Sequence, residues 1–180
     1  MSPDDILEFW YTEPASKHWF NSTPELDELI RSRYQALWQQ AKAGGLDDWM
    51  QTPEGCLALV IILDQFPLNM FRGLPESFAT EQQAVAVARH ALEQGFDKQI
   101  PKQKIAFLYM PFMHSESLGD QDRCVALFEG VGLEDNLKFA RHHREIVRRF
   151  GRFPHRNVIL GRQSTEEELR WLESDEAFRG

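Results

Sequence analysis

The chain has 180 residues, 42% hydrophobic and 12% aromatic, which suits a single domain with a sizeable core over residues 1–180. A net charge of -8 and a pI near 5.3 argue against a general nucleic-acid-binding protein, which usually carries a basic face. The acidic N-terminus, two distant cysteines and the lack of any apolar run near ~20 residues predict a cytoplasmic protein without a membrane segment.

Helix-start signals recur along the chain, and most combine a hydroxyl N-cap with a following proline or acid. Counted from these signals, the predicted helices are 2–11, 23–43, 52–67, 80–95, 102–116, 120–128, 134–150 and 164–173. Short connections and the absence of a hairpin signal predict an all-α fold of stacked antiparallel helix pairs. Residues 55–63 and 105–113 are apolar on nearly every side, so these segments should lie at the centre.

The segment 141–162 has the strongest charge asymmetry, with seven arginines, no lysine and one acid, Glu145. Arginine binds carboxylates and phosphates through a planar fork, so the segment either clamps the acidic remainder of the protein or receives an anionic ligand. One stripe of the predicted helix carries Arg141, Arg144, Arg148 and Arg152. His143 falls on the opposite, apolar stripe, where it is either a hydrogen-bonded core residue or a neutral base.

A second polar group follows the apolar segment 105–113. Pro111 should kink this helix, and His114, Ser115 and Glu116 emerge beyond it. If the helix unwinds there, Glu116 could orient the His114 imidazole, while a metal site, a Ser115 triad and a plain helix end are the alternatives. No recognised metal motif is present, and we predict no metal. The residues that could still surround an ion are His114, Glu116, His143 and His155.

The remaining candidates lie next to helix ends. Asp64 is predicted at the C-terminal end of an apolar helix, where the dipole disfavours a negative charge, so an arginine partner is expected. Pro154 could start a short helix whose free N–H groups bind an anion. The catalytic candidates are His114, Glu116 and His143. The ligand-binding candidates are Asp64, Gln65, Asn69, Arg72, Tyr109, Arg149, His155, Arg156 and Asn157.

Several blocks of the chain resemble those of domain-of-unknown-function family 924. They are LDQFPLNMFRG (63–73), FLYMPFMHSE (107–116), RRFGRFPHRNVILGRQSTEEE (148–168), ILEFW (6–10), Trp19-Phe20 and Asp120-Gln121. The resemblance implies an all-helical fold similar to the tetratricopeptide-like superfamily, a right-handed array closing around a central pocket, and no established activity. Leu68 departs from the pattern, because a basic residue is expected there, which weakens any ligand contact at this position.

Three functions are compatible with these residues. A site for a small anionic metabolite would use Arg72, Arg149 and Arg156 to hold a carboxylate or phosphate, with His114 or His143 as acid or base. A tetratricopeptide-like binding module would present an arginine-lined groove to an acidic peptide or protein partner. A purely structural ion network is the third. We predict the small anionic ligand; the reaction, any cofactor and the oligomeric state stay open.

Overall fold

The computed structural model describes residues 1–177. This range consists of helices joined by short turns and contains no strand. The α-helices of this range are α1 (Pro3–Tyr11), α2 (Pro24–Lys42), α3 (Pro53–Val60), α4 (Phe66–Met70), α5 (Glu81–Glu93), α6 (Lys102–His114), α7 (Leu118–Val131), α8 (Glu134–Phe150) and α9 (Glu166–Leu172). The all-α prediction is confirmed, whereas the tetratricopeptide-like arrangement and its central pocket stay predictions. Within residues 1–177 no helix combines the length and apolar character needed to cross a membrane.

The chain divides into two compact units. The N-terminal unit contains Met1–Arg72 and Glu76–Pro111. The C-terminal unit contains Gly73–Pro75 and the residues from Phe112 onward. Helix α6 therefore contributes its last turn, including His114, to the C-terminal unit. The prediction of one domain over residues 1–180 stays a prediction.

Local capping signals start several helices as the sequence predicts. The side chains that accept a hydrogen bond from a backbone N–H three residues later are Ser2, Thr23, Thr52 and Thr165. Proline occupies the first turn of α1, α2 and α3, where its missing N–H leaves no helical bond unmade. The starts of these helices are confirmed because every group that fixes them lies within one turn of the chain.

The third predicted helix does not end near Pro67. A π-helical turn, Ile61–Gln65, joins α3 to α4, so Asp64 lies inside a continuous helical path rather than at its end. Pro67 has no N–H for the carbonyl oxygen of Leu63 four residues earlier. That oxygen instead accepts a 2.5 Å hydrogen bond from Thr80 Oγ1. The predicted end of this helix at residue 67 was therefore wrong, and the hydrogen bond that Pro67 cannot make to Leu63 is made by Thr80, a residue distant in sequence.

The N-terminal unit packs around buried aromatic rings. Helix α3 packs against both α1 and α5, and α2 packs against α4. Tyr34 stacks on Phe66 with ring centroids 4.7 Å apart, and Trp10 meets the same ring edge-on at 5.7 Å. Of the aromatic residues near the N-terminus, Trp10 is 1% exposed and belongs to this core, whereas Phe20 is exposed.

The C-terminal unit consists mainly of α7 and α8, which pack along each other. Gly132 ends α7 with φ +65°, a left-handed conformation that glycine adopts without a steric penalty. A core cluster of Ile146, Val147, Phe153 and Trp171 joins α8 to the chain that follows it. Helix α9 packs against the 3-10 turn Pro154–Arg156. Phe153, the N-cap of that turn, packs on His143 in the middle of α8.

Candidate functional site

Three of the predicted polar groups meet around Phe153 in the C-terminal unit. The Phe153 ring lies 5.6 Å from the His143 ring and 5.8 Å from the His155 ring. The Arg156 guanidinium lies 4.8 Å from the same ring, and its Nη2 donates a 3.0 Å hydrogen bond to the carbonyl oxygen of His114. We call His114, His143, His155 and Arg156 the His–Arg cluster.

Glu116 lies beside the cluster as a bound carboxylate. Arg162 donates to Oε2 and Oε1, each at 2.8 Å, and the Phe153 N–H donates to Oε1 at 2.8 Å. Burial by itself raises the pKa of Glu116, but the hydrogen bonds from Arg162 and Phe153 and the charges of Arg162 and Arg156 outweigh it, so the pKa lies below its ordinary value. Glu116 is therefore an ionised carboxylate held by Arg162 and Phe153, and its role in orienting His114 stays a prediction.

The same contacts account for the anion site predicted at Pro154. The Phe153 N–H binds Glu116, while the N–H groups of Arg156 and Asn157 donate to the carbonyl oxygens of Phe153 and Pro154. One backbone donor of this turn thus already binds the protein's own Glu116 carboxylate. That free N–H groups at Pro154 bind an anionic ligand stays a prediction.

His143 is 4% exposed on the core-facing side of α8, as the helical projection predicts. Its Nδ1 lies 2.8 Å from the carbonyl oxygen of Phe139, which can only accept, so Nδ1 carries the proton and Nε2 is the acceptor. Burial lowers the pKa of His143 to about 3; the bond to Phe139 opposes this, and the neighbouring histidines add to it. The ring is therefore neutral at neutral pH.

His155 and His114 are half-buried, in contrast to Arg156, which is 5% exposed. Burial is the main cause that lowers the pKa of His155 to about 4, and the positive charge of Arg156 adds to it. The charge of His114 contributes in the same direction to both His143 and His155, which places the three rings within electrostatic range of one another. The cluster thus combines a buried guanidinium with the neutral imidazoles of His143 and His155.

Asn157 belongs to a neighbouring structural network. It is fully buried, donates to Ser164 Oγ at 3.0 Å and to Glu168 Oε2 at 3.3 Å, and accepts from Arg162 Nε at 2.9 Å. Glu168 is 2% exposed and receives two hydrogen bonds from Arg152, at 2.7 and 2.9 Å. The hydrogen bond from Arg152 is the main cause that lowers the pKa of Glu168. These contacts fasten α9 to the turn before it.

Arginines of the segment 141–162 form ion pairs with carboxylates of the protein. The pairs are Arg141–Glu129, Arg144–Asp122, Arg148–Glu145, Arg149–Glu167, Arg152–Glu168 and Arg162–Glu116. The alternative in which this segment clamps the acidic remainder of the protein is therefore confirmed for five of these arginines, whereas Arg148 pairs with Glu145 of the segment itself. Arg149 lies away from the His–Arg cluster contacts, on the wall of a surface cleft of about 400 Å³. That cleft is lined by His142, Glu145, Ile146, Arg149, Phe150, Trp171 and Glu176.

The candidates of the N-terminal unit form separate contacts. Gln65 Nε2 donates to Asp64 Oδ2 at 2.6 Å, and both side chains are buried. Asn69 and Arg72 both donate to Asp27, at 2.8 and 2.7 Å. Burial raises the pKa of Asp27, but these hydrogen bonds outweigh it and the pKa lies below its ordinary value. Asn69 and Arg72 thus connect α4 and the residues after it to α2, and their ligand contacts stay predictions.

Tyr109 is the remaining candidate of the N-terminal unit. The residue is 1% exposed, and its hydroxyl donates to Asp97 Oδ2 at 3.3 Å. Burial is the first cause that raises the pKa of Tyr109, and the charge of Asp97 adds to it. Tyr109 therefore stays protonated at neutral pH and acts there as a hydrogen-bond donor.

Two further alternatives for the end of α6 find no support in the geometry. Ser115 is fully buried, and its hydroxyl donates to Asp120 Oδ2 at 2.7 Å rather than to an imidazole, so it is no activated nucleophile. Among residues 1–177, no three His, Cys, Asp or Glu side chains are arranged to hold a metal ion. The four residues that the sequence suggested as ligands therefore do not converge on one point.

Comparison with known proteins gives the relationship of the chain but no activity. The family described as "Bacterial protein of unknown function (DUF924)" matches residues 6–176. The chain belongs to the DUF924 family. Its structure is similar to the "Structure of Protein of Unknown Function ATU0120 from Agrobacterium tumefaciens", with a TM-score of 0.89 and 38% sequence identity over 95% of this chain and 96% of that one. No curated protein matches the chain significantly.

The sequence analysis of this DUF924 member missed two residues that shape the site. Arg162 holds Glu116, and Gln121 donates to the carbonyl oxygens of Met113 and Ser115, both at 2.7 Å. Arg162 was visible only as one arginine among seven. Gln121 lies on the buried side of α7, where an amide side chain that cannot be solvated must find partners. A buried glutamine on an amphipathic helix is the signal that could have identified it.

Proposed function

We propose that this DUF924 protein binds a small anionic metabolite at the His–Arg cluster. The observation that carries the proposal is the position of Arg156, a buried guanidinium in one group with the half-buried His114 and His155. A guanidinium fork binds carboxylates and phosphates bidentately, and partial removal from water strengthens that attraction. The imidazoles of His114 and His155 carry nitrogens that can form hydrogen bonds to a ligand beside it.

The charge states of the histidines suit this role. His155 has its pKa lowered to about 4 and His143 to about 3, so both rings are neutral at pH 7. A neutral imidazole donates one hydrogen bond and accepts one, which suits a protonated hydroxyl or carboxyl oxygen as well as an anion. His155 is the ligand contact in this proposal, Arg156 holds the negative group, and His143 supports the cluster from the core. The proposal covers binding and leaves the reaction open.

The exposed arginine stripe of α8 fits an acidic partner less well. Arg141, Arg144 and Arg148 each have a carboxylate within ion-pair distance. An acidic peptide would have to displace these carboxylates one by one, so the face attracts polyanions less than its arginines alone suggest. The binding-module alternative remains a prediction, and Arg149 on the cleft wall is the residue that would test it.

A thermal-shift series tests the proposal with inorganic phosphate and a panel of small phosphorylated and carboxylate metabolites. The variants are Arg156→Met, which keeps much of the packing, and Arg149→Met, the exposed control. A ligand at 100 times its Kd stabilises by about 2.7 kcal/mol, which corresponds to roughly 5–10 °C for a chain of this length. We expect that shift in wild type and in Arg149→Met, but not in Arg156→Met.

The opposite pattern would reject the cluster as an anion site. If no member of the panel raises the wild-type Tm, or if Arg156→Met responds like wild type, the proposal is wrong. Binding of an immobilised poly-glutamate peptide that is lost in Arg149→Met would then favour the binding module.

A further inference from the structure

We propose that Gln121 is a positioning residue that fixes His114 at the end of α6. The inference deepens the proposed function, since His114 belongs to the His–Arg cluster. It rests on a separate set of observations, the hydrogen bonds around residues 113–117. These contacts exist whether or not the cluster binds an anion, and they are tested separately below.

The end of a helix is ordinarily a poor place for an ordered side chain. The last carbonyl groups of α6 have no helical N–H partner, and a glycine or asparagine after the helix usually provides the closing turn. Here the chain continues as Ser115-Glu116-Ser117, and no glycine follows within that stretch. His114 is the last residue of α6, so it would fray unless other side chains capped these carbonyls.

Gln121 supplies that cap from the neighbouring helix. Its Nε2 donates 2.7 Å hydrogen bonds to the carbonyl oxygens of Met113 and Ser115, one residue on each side of His114. The carbonyl oxygen of His114 itself accepts from Arg156. Three consecutive carbonyl groups are thus held by side chains, which fixes the backbone from which the His114 ring projects.

A second contact locks the same turn. Ser115 Oγ donates to Asp120 Oδ2 at 2.7 Å and accepts from the Ser117 N–H at 3.2 Å. Gln121 and Asp120 are neighbours at the start of α7, so one helix end carries both anchors. The turn cannot shift along α7 without breaking both sets of bonds.

The orientation of the Gln121 amide follows from its partners. Rotating the amide by half a turn would set its oxygen against two carbonyl oxygens, which repel it. In the observed orientation Oε1 is buried, and no hydrogen-bond donor reaches it among the described residues. An amide with an unbonded buried oxygen is costly to keep for packing alone, since methionine has a similar shape and no such cost. The residue is better explained by its two donated bonds.

The test compares Gln121→Met with Cys124→Ala. The first variant keeps the side-chain volume and removes both donors. The second truncates another fully buried side chain of α7, one turn away, and leaves both Gln121 donors in place while reducing stability. Two readouts are measured on the full chain: amide hydrogen exchange of residues 113–117, and the His114 ring Cε1–H resonance in ¹H–¹³C NMR spectra.

If Gln121 positions His114, exchange at 113–117 rises at least about tenfold in Gln121→Met and the His114 resonance shifts. Cys124→Ala then lowers the Tm without either local change. Equal exchange and an unmoved His114 resonance in the two variants would overturn the inference. The Kd for inorganic phosphate is measured in parallel. Absence of phosphate binding in wild type would argue against the proposed function, while the exchange result still decides the role of Gln121.

Discussion

The arginines of segment 141–162 fall into an outer and an inner group with different energetics. In the outer group, Arg141, Arg144 and Arg148 have 42–58% of their side chains exposed, and their partners are equally open. In the inner group, Arg152 and Arg162 are 27% and 24% exposed, and each makes a two-bonded contact with a carboxylate. The residue type and the stretch of chain are the same, so burial sets the difference.

Arginines that look alike in the sequence therefore differ in how much their ion pairs contribute to stability. Water already solvates an exposed pair, so forming it contributes ~0–1 kcal/mol. A carboxylate removed from water depends on its partner, and taking that partner away leaves a buried charge at a cost of several kcal/mol. The sequence shows seven residues of one type, whereas the fold makes the buried or partly buried carboxylate partners of Arg152 and Arg162 depend on those two arginines.

The largest expected effect is at Glu116. Replacement by Ala removes three hydrogen bonds and leaves Arg162 partly buried without its carboxylate. We expect the free energy of unfolding to fall by about 3 kcal/mol, measured by urea denaturation at pH 7. The matched outer-group variant, Asp122→Ala, should cost under about 1 kcal/mol.

The double variant Glu116→Leu with Arg162→Met sharpens the same comparison. An apolar pair removes both charges, so it should recover much of the stability that Glu116→Ala loses. A loss for Glu116→Ala no larger than that for Asp122→Ala would erase the distinction between inner and outer groups.

The next effect is the loss of stability at acidic pH that His143 and His155 cause. His143 and His155 are neutral in the fold, with pKa values lowered to about 3 and 4, but they bind protons near pH 6.5 once unfolded. Stability is therefore complete above pH 6.5 and falls as the pH decreases. The loss is about 1.4 kcal/mol per pH unit for each ring, or about 2 kcal/mol per ring at pH 5.

Urea denaturation at several pH values between 7 and 5 measures how the free energy of unfolding depends on pH. His143→Leu should lower this slope by about 1.4 kcal/mol per pH unit, which corresponds to one proton. The carboxylates with lowered pKa contribute mainly below this window, since their unfolded values lie near pH 4. A slope that does not change in His143→Leu would mean that the buried ring takes up a proton without cost.

The smallest effect is expected on the exposed stripe. Arg141→Ala removes a pair whose two side chains are 58% and 63% exposed. We expect a change below about 0.5 kcal/mol, and 1 M NaCl should abolish what remains, because salt screens exposed charges. A loss above 2 kcal/mol would place Arg141 with the inner group.

The sequence predicted what local chemistry determines. The Ser/Thr-Pro starts of α1, α2 and α3 and the burial of His143 follow from groups within a few residues of each other. Pro67 defeated the same reasoning, because its missing donor is replaced by Thr80, which is itself held by a 3.0 Å hydrogen bond from Trp38 Nε1. No local pattern indicates that such a donor exists.

The candidate site shows the same limit. His114, His143, His155 and Arg156 were selected from the sequence as polar residues at helix ends or on an apolar helix face. The fold places His143, His155 and Arg156 around the Phe153 ring and bonds Arg156 to the His114 carbonyl oxygen, while their functional roles stay predictions. The partner of Glu116 was not predictable from the sequence. Arg162 lies 46 residues away, and nothing in the sequence distinguishes it from the six other arginines of the segment. Pairing depends on tertiary geometry, which charge spacing along the chain does not encode.

Helix α9 has a consequence for how the C-terminal unit can be monitored. The helix has seven residues, and isolated helices shorter than ~12–15 residues are marginal in water. Its helical form therefore depends on docking, through the buried Trp171 and the Glu168 bonds to Arg152. Arg152 also donates to the carbonyl oxygen of the exposed residue Gln163, so loosening of this contact would make the backbone at Gln163 easier for a protease to cut. The rate of protease cleavage at Gln163 thus reports whether α9 is docked on the C-terminal unit.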